Sequence, residues 1–408
     1  MSPPQSGKDA ASQREWATIV ALGVGQIVSW GMLTYTIAVI GTPIANDLAI
    51  SRTAAFGAFS LALLVSGLAA QYAGGLVDRL GGRTVLLAGV ALTSLGLATL
   101  ALSRSVLALY LSWVTMGLAM SMSLYETAFA SLSQHVRNLR RSITVVTLFG
   151  GFASTLFIPL TLYAMNLAGW RATLMVYAGL IVLINVPAYL WGIPGGAGSH
   201  ASHDAAAPST GARPVTRPSR AWLVVWLAAA FAAAAFITSS VSTHVVNLLS
   251  LKGLPTQTAV WVAALIGPMQ VFGRVLEFLT ERTIGITAST AYAFVLMIVA
   301  MALLALAREN IYVACASIGL YGMANGVVTV ARGAVPAHFF GRAGYGRTLG
   351  RIAAPALMAR AFAPFALTLG FARTSNANAA DIVLLVAAVV ALGTFLLAVR
   401  IHRKANAT

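Results

Sequence analysis

Charged residues are scarce in this chain. They make up 9% of its 408 residues, whereas 59% are hydrophobic. A soluble globular domain usually carries about 25% charged residues. So few charges cannot cover the surface of a soluble protein of this length, which excludes a water-soluble globular fold. The solvent around most of the surface must be lipid.

Cysteine and histidine are also rare, with one and six residues. A single cysteine, Cys315, excludes an internal disulfide and a cysteine-based metal site. The histidines are scattered, so His, Asp, Ser and Cys do not cluster at catalytic spacing, and the sequence has no Gly-x-x-x-x-Gly-Lys-Ser/Thr loop for ATP. We therefore expect no catalytic residues, no metal and no cofactor. An enzyme embedded in the membrane is a remote alternative.

Acidic residues are outnumbered, 10 against 26 basic ones, and the net charge is +16. Proteins that bind nucleic acid cluster their basic residues on one solvated face. Here the basic residues stand singly or in threes between apolar segments, which is typical of loops that flank membrane helices. The charge pattern therefore predicts a membrane orientation and no nucleic-acid partner.

Long apolar runs are what the chain has in abundance. A helix needs about 20 residues to cross the ~30 Å hydrocarbon layer. The runs predict an all-α membrane protein with twelve spans, at about 16–40, 54–77, 84–102, 106–131, 143–165, 172–192, 221–249, 257–279, 286–306, 311–333, 350–372 and 379–399. The first run is too long for the core of a signal peptide, so we expect it to be a retained helix.

The loops indicate the orientation and the division of the chain. With the N-terminus inside, 18 basic residues fall on the inner side and 6 on the outer side. This bias predicts a multi-pass protein of the cell inner (plasma) membrane with both termini in the cytoplasm. Residues 193–220 are rich in Gly, Pro, Ser and Thr and read as a cytoplasmic linker. The predicted halves are therefore 1–192 and 221–408, with six helices each.

The loop after span 2 recurs after span 8. A shift of 199 residues aligns glycine, acid and base, pairing Gly74 with Gly273, Asp78 with Glu277, and Arg83 with Arg282. Internal repeats are found in many transporter folds, where the substrate site lies at the interface of the repeats.

The first of these loops, Gly74-x-Leu76-x-Asp78-Arg79-x-Gly81-x-Arg83, resembles the signature loop of the major facilitator superfamily. Together with the spans, linker and repeat, the resemblance covers nearly the whole chain. It implies a monomeric secondary transporter that moves a small solute, in some cases with protons, by alternating access. It also implies that the charges of this loop, with Glu277 and Arg282 in the second loop, brace helix ends and hold one access state. A helix dipole disfavours an anion at the C-terminal end, so Asp78 should need basic partners.

Two spans carry residues that resemble the oxalate–formate exchanger and monocarboxylate transporter branch, namely Gln270-x-x-x-Arg274 on span 8 and Arg360 on span 11. In that branch, basic residues of these spans face an anionic substrate. This chain has Gln270 where monocarboxylate transporters usually have aspartate, and Arg360 where the exchanger has lysine. An arginine keeps its charge and binds carboxylates bidentately, which suits an anion anchor. The alternatives are an Arg360 held by carbonyls or an acid, and a local pair of Arg274 with Glu277.

Two further charges lie deep in spans. An ionisable side chain inside the membrane is costly and usually marks a pathway or a pair. Glu126 on span 4 and Arg332 on span 10 occupy nearly equivalent positions in the repeat. The family resemblance implies a cavity lined by spans 1, 4, 7 and 10. The two residues are therefore candidates for a pair across the halves; a proton carrier at Glu126 and a structural role are the alternatives.

Aromatic residues of the same spans are candidate substrate contacts, namely Trp30, Tyr35, Tyr125 and Tyr321. Packing within the bundle is the alternative. The leading prediction is a secondary active transporter of a small organic anion, specifically a carboxylate, that works with protons or by exchange. The alternative is a carrier of a neutral or amphipathic drug or of a vitamin-like metabolite.

Overall fold

The protein is represented by a computed structural model, which describes residues 5–196, 217–374 and 377–407. These residues form helices joined by short turns, and no strand occurs among them. The helices that precede residue 197 are α1 (Gln5–Trp30), α2 (Thr36–Asp47), α3 (Arg52–Leu80), α4 (Gly82–Ala101), α5 (Val106–Ser123), α6 (Tyr125–His135), α7 (Leu139–Gly151) and α8 (Ala153–Gly192). A π-helical turn, Gly31–Tyr35, joins α1 to α2.

The helices that follow residue 216 are α9 (Arg217–Leu251), α10 (Thr256–Ala264), α11 (Ile266–Thr280), α12 (Ile286–Leu306), α13 (Ile311–Phe340), α14 (Tyr345–Thr374) and α15 (Ala377–Ala407). Ten helical stretches of the described chain are long and apolar enough to cross a membrane. One of them, Leu139–Gly192, bends at Gly169, where φ is 77°, and supplies two spans. Helix α14, with 30 residues, is also long enough to cross a membrane. The predicted all-α membrane fold with twelve spans in two six-helix halves is confirmed.

The helices differ from the predicted spans in two respects. Several continue past the predicted ends, for example to Asp47 instead of residue 40 and to Phe340 instead of residue 333. Apolar sequence marks the hydrocarbon boundary, whereas helical hydrogen bonding continues into the polar region beyond it. Spans 4, 5 and 8 are each interrupted, at Leu124, Phe152 and Leu265. The apolar pattern continues through these breaks and therefore does not reveal them.

The chain forms two compact units. The first comprises Met1–Pro208 together with Phe340–Gly350, and the second comprises Ser209–Phe339 with Arg351–Thr408. The segment Phe340–Gly350, which joins α13 to α14, therefore packs with the first unit. Of the predicted linker 193–220, residues 197–216 lie outside the described part. The boundaries predicted for the two halves stay predictions.

Glycine allows one close helix contact at equivalent places in the two units. A Cβ added at Gly117 of α5 would lie 2.5 Å from the carbonyl oxygen of Ala62 on α3. A Cβ added at Gly322 of α13 would lie 3.0 Å from the carbonyl oxygen of Ile266 on α11. Helices in lipid associate through such small residues because they gain contact area without a hydrophobic driving force. The internal repeat therefore extends from the loops into the helix packing.

Candidate functional site

The acid of the α3–α4 loop binds the start of a helix. Asp78 accepts hydrogen bonds from the backbone N–H groups of Gly346 and Arg347, both at 2.9 Å. These N–H groups belong to the first turn of α14, in the segment that packs with the first unit. The positive end of a helix dipole stabilises a carboxylate. The partners of Asp78 shown by these bonds are thus backbone groups of a helix N-terminus, where the sequence suggested basic side chains.

Glycine makes this contact possible. A Cβ at Gly74 would lie 2.0 Å from the carbonyl oxygen of Gly346, and one at Gly350 would lie 2.3 Å from that of Ala70. No side chain fits at either distance, because both neighbours are backbone atoms. Close backbone packing therefore explains the glycine at position 74 of the loop motif, independently of loop flexibility.

Two side chains that the sequence analysis missed hold the same region. Arg342 donates to the carbonyl oxygens of Val136 and Arg137, both at 2.6 Å, just after α6. Gln134 accepts from the N–H of Gly82 at 3.1 Å and donates to the carbonyl of Val77 at 2.9 Å. It thereby ties the end of α3 to the start of α4. The sequence signal for such capping is weak, because the residues are distant along the chain.

The other residues of the two loops have different surroundings. Arg79 is exposed, while Arg83 is half-buried and lies beside Gly195, just after α8. In the second loop, Arg282 is exposed. Glu277 is buried and accepts a hydrogen bond from the hydroxyl of Ser289 on α12. The two loops thus share a sequence pattern but place their acids in different chemical surroundings.

Arg274 and Gln270 both lie on α11. Arg274 is buried, with 4% of its surface exposed. Gln270 is half-buried. A Cβ added at Gly326 of α13 would lie only 2.3 Å from the backbone carbonyl oxygen of Gln270. Gly273 approaches the carbonyl of Met323 in the same way, at 2.4 Å. This stretch of α11 is therefore a tight packing face toward α13, and substrate contact by either side chain stays a prediction.

Arg360 lies in a polar cluster of the second unit. Its charge acts on the hydroxyl of Tyr321, which also bonds Ser242. The same hydroxyl lies 3.5 Å from the carbonyl oxygen of Thr238, and the Thr238 hydroxyl lies 2.9 Å from Oδ1 of Asn325. Helices α9 and α13 thus bring three hydroxyl groups and an amide together, and the charge of Arg360 on α14 acts on one of these hydroxyl groups. Of these residues, Arg360 and Tyr321 were predicted from the sequence, and the other three were not.

The backbone at Arg360 is adapted to its place. In a regular helix its carbonyl would accept from the N–H of residue 364, but Pro364 has none. The hydroxyl of Ser239 donates to this carbonyl at 2.8 Å. The ring of His244 in turn contacts the carbonyl of Pro364 at 3.2 Å. Side chains of α9 therefore contact two carbonyl groups of this bend, and the Ser239 hydroxyl satisfies the one that the proline leaves open, as lipid requires.

The first unit contains a corresponding aromatic cluster around the break in span 4. Gln26 is fully buried; it donates to the carbonyl of Ser123 at 2.7 Å and accepts from the indole N–H of Trp30 at 3.1 Å. The ring of Tyr125 lies 4.9 Å from that of Trp30 and 5.2 Å from that of Phe129. Tyr35 is more distant, with its ring centre 6.3 Å from Trp30. Gln26 and Phe129 were not predicted from the sequence, because nothing in their local pattern distinguishes them from ordinary core residues.

Glu126 is the second residue of α6, directly after this break, and it is half-buried. Its place in a first helical turn is favourable for a carboxylate. Burial, and second to it the charge of Glu126, raise the pKa of the Tyr345 phenol above its ordinary value. Glu126 is therefore electrostatically linked to the segment docked on Asp78. Arg332 lies half-buried on α13, and its pairing with Glu126 stays a prediction.

Each unit also contains an ion pair that the sequence did not indicate. In the first, Arg171 of α8 pairs with Asp47 of α2. Arg171 also donates to the carbonyls of Ala101 and Ser103 at the end of α4, at 2.9 and 2.7 Å. In the second, Lys252, just after α9, pairs with Asp381 of α15 and lies 3.5 Å from the carbonyl of Ala305 near the end of α12. Both pairs join the first, third and sixth spans of their unit, with acid and base exchanged.

Residues 22–307 match the family model described as Major Facilitator Superfamily. No curated protein matches the chain. The fold resembles the Major Facilitator Superfamily transporter FucP in the outward conformation, with a TM-score of 0.73 and 11% identity over 93% of this chain and 98% of that one.

Two other solved structures are similar. The human organic anion transporter MFSD10 (TETRAN) has a TM-score of 0.70 and 17% identity, over 94% of this chain and 99% of that one. The proton:xylose symporter XylE, bound to 6-bromo-6-deoxy-D-glucose, has a TM-score of 0.72 and 14% identity, over 95% of each chain. At these identities the likeness concerns the fold alone.

Proposed function

Because the chain belongs to the Major Facilitator Superfamily and is a transporter of that fold, we propose that it carries a small organic anion, a carboxylate, by alternating access. The observation that supports this proposal is the charge of Arg360, which acts on the hydroxyl group of Tyr321, beside Ser242 and Thr238. The proposal includes a location in the inner (plasma) membrane, with both termini in the cytoplasm, which rests on the bias of basic residues.

The chemistry of the cluster favours an anion. A guanidinium group stays charged and offers its donors in a planar fork that matches a carboxylate. Neighbouring hydroxyl groups can donate to the same anion. Placing a cation in a span costs several kcal/mol by most estimates, so such residues usually serve a solute pathway or a pair. One of the similar structures is described as an organic anion transporter, which is compatible with this class of solute.

Glu126 and the docked segment supply a mechanism for coupling. The carboxylate of Glu126 acts on Tyr345, and the next two residues bond Asp78. A change of charge at Glu126 therefore alters the electrostatic potential next to the contact between Asp78 and the start of α14. The family resemblance associates the loop of Asp78 with one access state. Uptake with a proton would use Glu126 as the carrier, whereas anion exchange would use it as a fixed charge. The test is uptake under an imposed pH gradient. If uptake depends on the gradient in the wild type and loses that dependence in Glu126→Gln, proton-coupled uptake is favoured over anion exchange.

A second candidate function rests on the aromatic cluster of the first unit. The rings of Trp30, Tyr125 and Phe129 follow one another at 4.9 and 5.2 Å. Aromatic side chains supply large apolar contact area with a few polar groups for orientation. These rings fit a neutral or amphipathic compound, such as a drug or a vitamin-like metabolite, better than a small carboxylate.

Ligand-dependent thermal stabilisation of the purified protein tests the two candidates. A ligand at 100 times its Kd stabilises the folded state by about 2.7 kcal/mol. We expect a mono- or dicarboxylate to stabilise the wild type and Arg104→Ala, whose arginine is exposed in the α4–α5 turn. Arg360→Ala should lose the response, and Arg360→Lys should keep part of it. Stabilisation by neutral compounds alone, or an equal response of Arg360→Ala, would refute the anion proposal and favour the aromatic cluster.

A further inference from the structure

A groove of about 340 Å³ lies between the start of α12 and the end of α15. It belongs entirely to the second unit, and none of the candidate solute residues lines it. Its walls are apolar and are formed by Ala288, Ala291, Phe395, Leu396 and Val399. Leu396 at its edge is 48% exposed, and so is accessible to lipid. The groove therefore offers an apolar trough that opens toward the membrane.

One end of the groove is strongly basic. Arg400, Arg403 and Lys404 line it, and all three are exposed. Arg403 and Lys404 follow Arg400 by three and four residues, so both lie close to it on α15, where like charges repel and destabilise the helix. None of the described residues that line the groove is acidic. Three basic side chains on one helix face create a positive potential that favours an anionic ligand at this end of the groove.

The start of α12 adds to this charge. Thr287 and Ala288 belong to the first turn of α12 and line the groove. The N–H groups of a first helical turn have no intrahelical acceptor, and the dipole is positive there. The basic side chains of α15 and the N-terminus of α12 thus face the same end of one apolar groove. A ligand that fits both features has an anionic head and an apolar tail.

We propose that this groove binds one anionic phospholipid, with an acyl chain along the apolar walls and the phosphate at Arg400, Arg403 and Lys404. Basic pockets between membrane helices on the cytoplasmic side are suited to such headgroups, and juxtamembrane basic residues are attracted to anionic lipid. The inference is independent of the solute assigned to the transporter. The proposal concerns one lipid molecule bound at one site. It differs from the general attraction of basic side chains to an anionic membrane leaflet.

The full-length protein, delipidated in a neutral detergent, provides the test. Native mass spectrometry with phosphatidylglycerol, phosphatidylcholine or inorganic phosphate measures the bound species and their apparent Kd. We expect one phosphatidylglycerol to bind at least tenfold more tightly than phosphatidylcholine. Inorganic phosphate should not compete for it. Competition by phosphate at comparable concentration would indicate a free-anion site and overturn the lipid assignment.

Variants separate a built site from bulk charge. The triple change Arg400→Gln, Arg403→Gln and Lys404→Gln should weaken phosphatidylglycerol binding at least tenfold. Ala291→Trp should fill the groove and weaken binding to a similar extent while every charge remains. The matched control removes three basic residues around the α6–α7 turn, Arg137, Arg140 and Arg141. An equal loss in that control, or unchanged binding in Ala291→Trp, would overturn the proposal.

Discussion

The ion pair of the second unit allows a quantitative test of how burial controls the contribution of an ion pair to stability. The side chains of Lys252 and Asp381 are only 5% and 3% exposed. Asp381→Asn would leave a buried ammonium group without its counter-ion. Removing one partner of a buried pair typically costs about 3–5 kcal/mol. For a unit of this size, about 2–4 °C is lost per kcal/mol, so the melting temperature should fall by at least about 6 °C.

The first unit contains the matched control. Arg171 and Asp47 make the corresponding pair, but their side chains are 37% and 43% exposed. An exposed pair contributes about 0–1 kcal/mol, and Arg171 keeps its two carbonyl acceptors when the acid is removed. Asp47→Asn should therefore lower the melting temperature by no more than a few degrees. Both variants are measured by thermal unfolding of the purified protein in the same detergent.

The exchange of acid and base between the two units suggests a rescue. The double variant Lys252→Asp with Asp381→Lys gives the second unit the order found in the first. It should recover at least half of the stability lost in Asp381→Asn, because both charges are again paired. An equal loss in Asp381→Asn and Asp47→Asn would refute the argument from burial. Failure of the double variant to recover would show that the carbonyl near Lys252 fixes the position of the base.

Three further changes test individual contacts. Gly74→Ala should release the segment docked on α3, because its Cβ would lie 2.0 Å from a carbonyl oxygen, and hydrogen exchange of residues 340–350 should increase. Gly75→Ala is the control, since its Cβ would meet nothing closer than 3.9 Å; equal exchange in both variants would contradict the reasoning. Gln26→Leu should destabilise the first unit by about 1–3 kcal/mol by removing a buried donor to the carbonyl of Ser123. Unchanged thermal unfolding would argue against that bond. Tyr321→Phe should weaken carboxylate binding while leaving thermal stability within about 1 kcal/mol; unchanged binding would separate the hydroxyl from the solute.

The break in span 4 illustrates why parts of the candidate site could not be predicted. Residues 106–131 read as one apolar run, so the sequence predicts one helix. The structure ends α5 at Ser123 and begins α6 at Tyr125. The opened backbone is tolerated because Gln26, almost a hundred residues earlier, donates to the Ser123 carbonyl. A local pattern does not contain that partner, and so neither the break nor Gln26 could be identified from it.

The loop motif shows the opposite case. Its glycine and its acid were both identified from spacing and from the repeat. What the sequence analysis did not provide was the partner, because it assigned Asp78 to basic side chains. The hydrogen-bond donors at 2.9 Å are backbone N–H groups of the first turn of α14. Every non-proline residue has such a group, so composition does not show which of them an acid will bind.

The sequence by itself determined the solvent, the number of spans and the repeat. Hydrophobic content, charge scarcity and the 199-residue shift are properties of the chain, and lipid imposes a helix wherever an apolar run is long enough. Tertiary structure alone decided which distant groups meet: Ser239 with the carbonyl that Pro364 leaves open, and Lys252 with Asp381. Such contacts depend on the packing of helices that are far apart in sequence. Local pattern therefore determines the helices, whereas packing determines the chemistry between them.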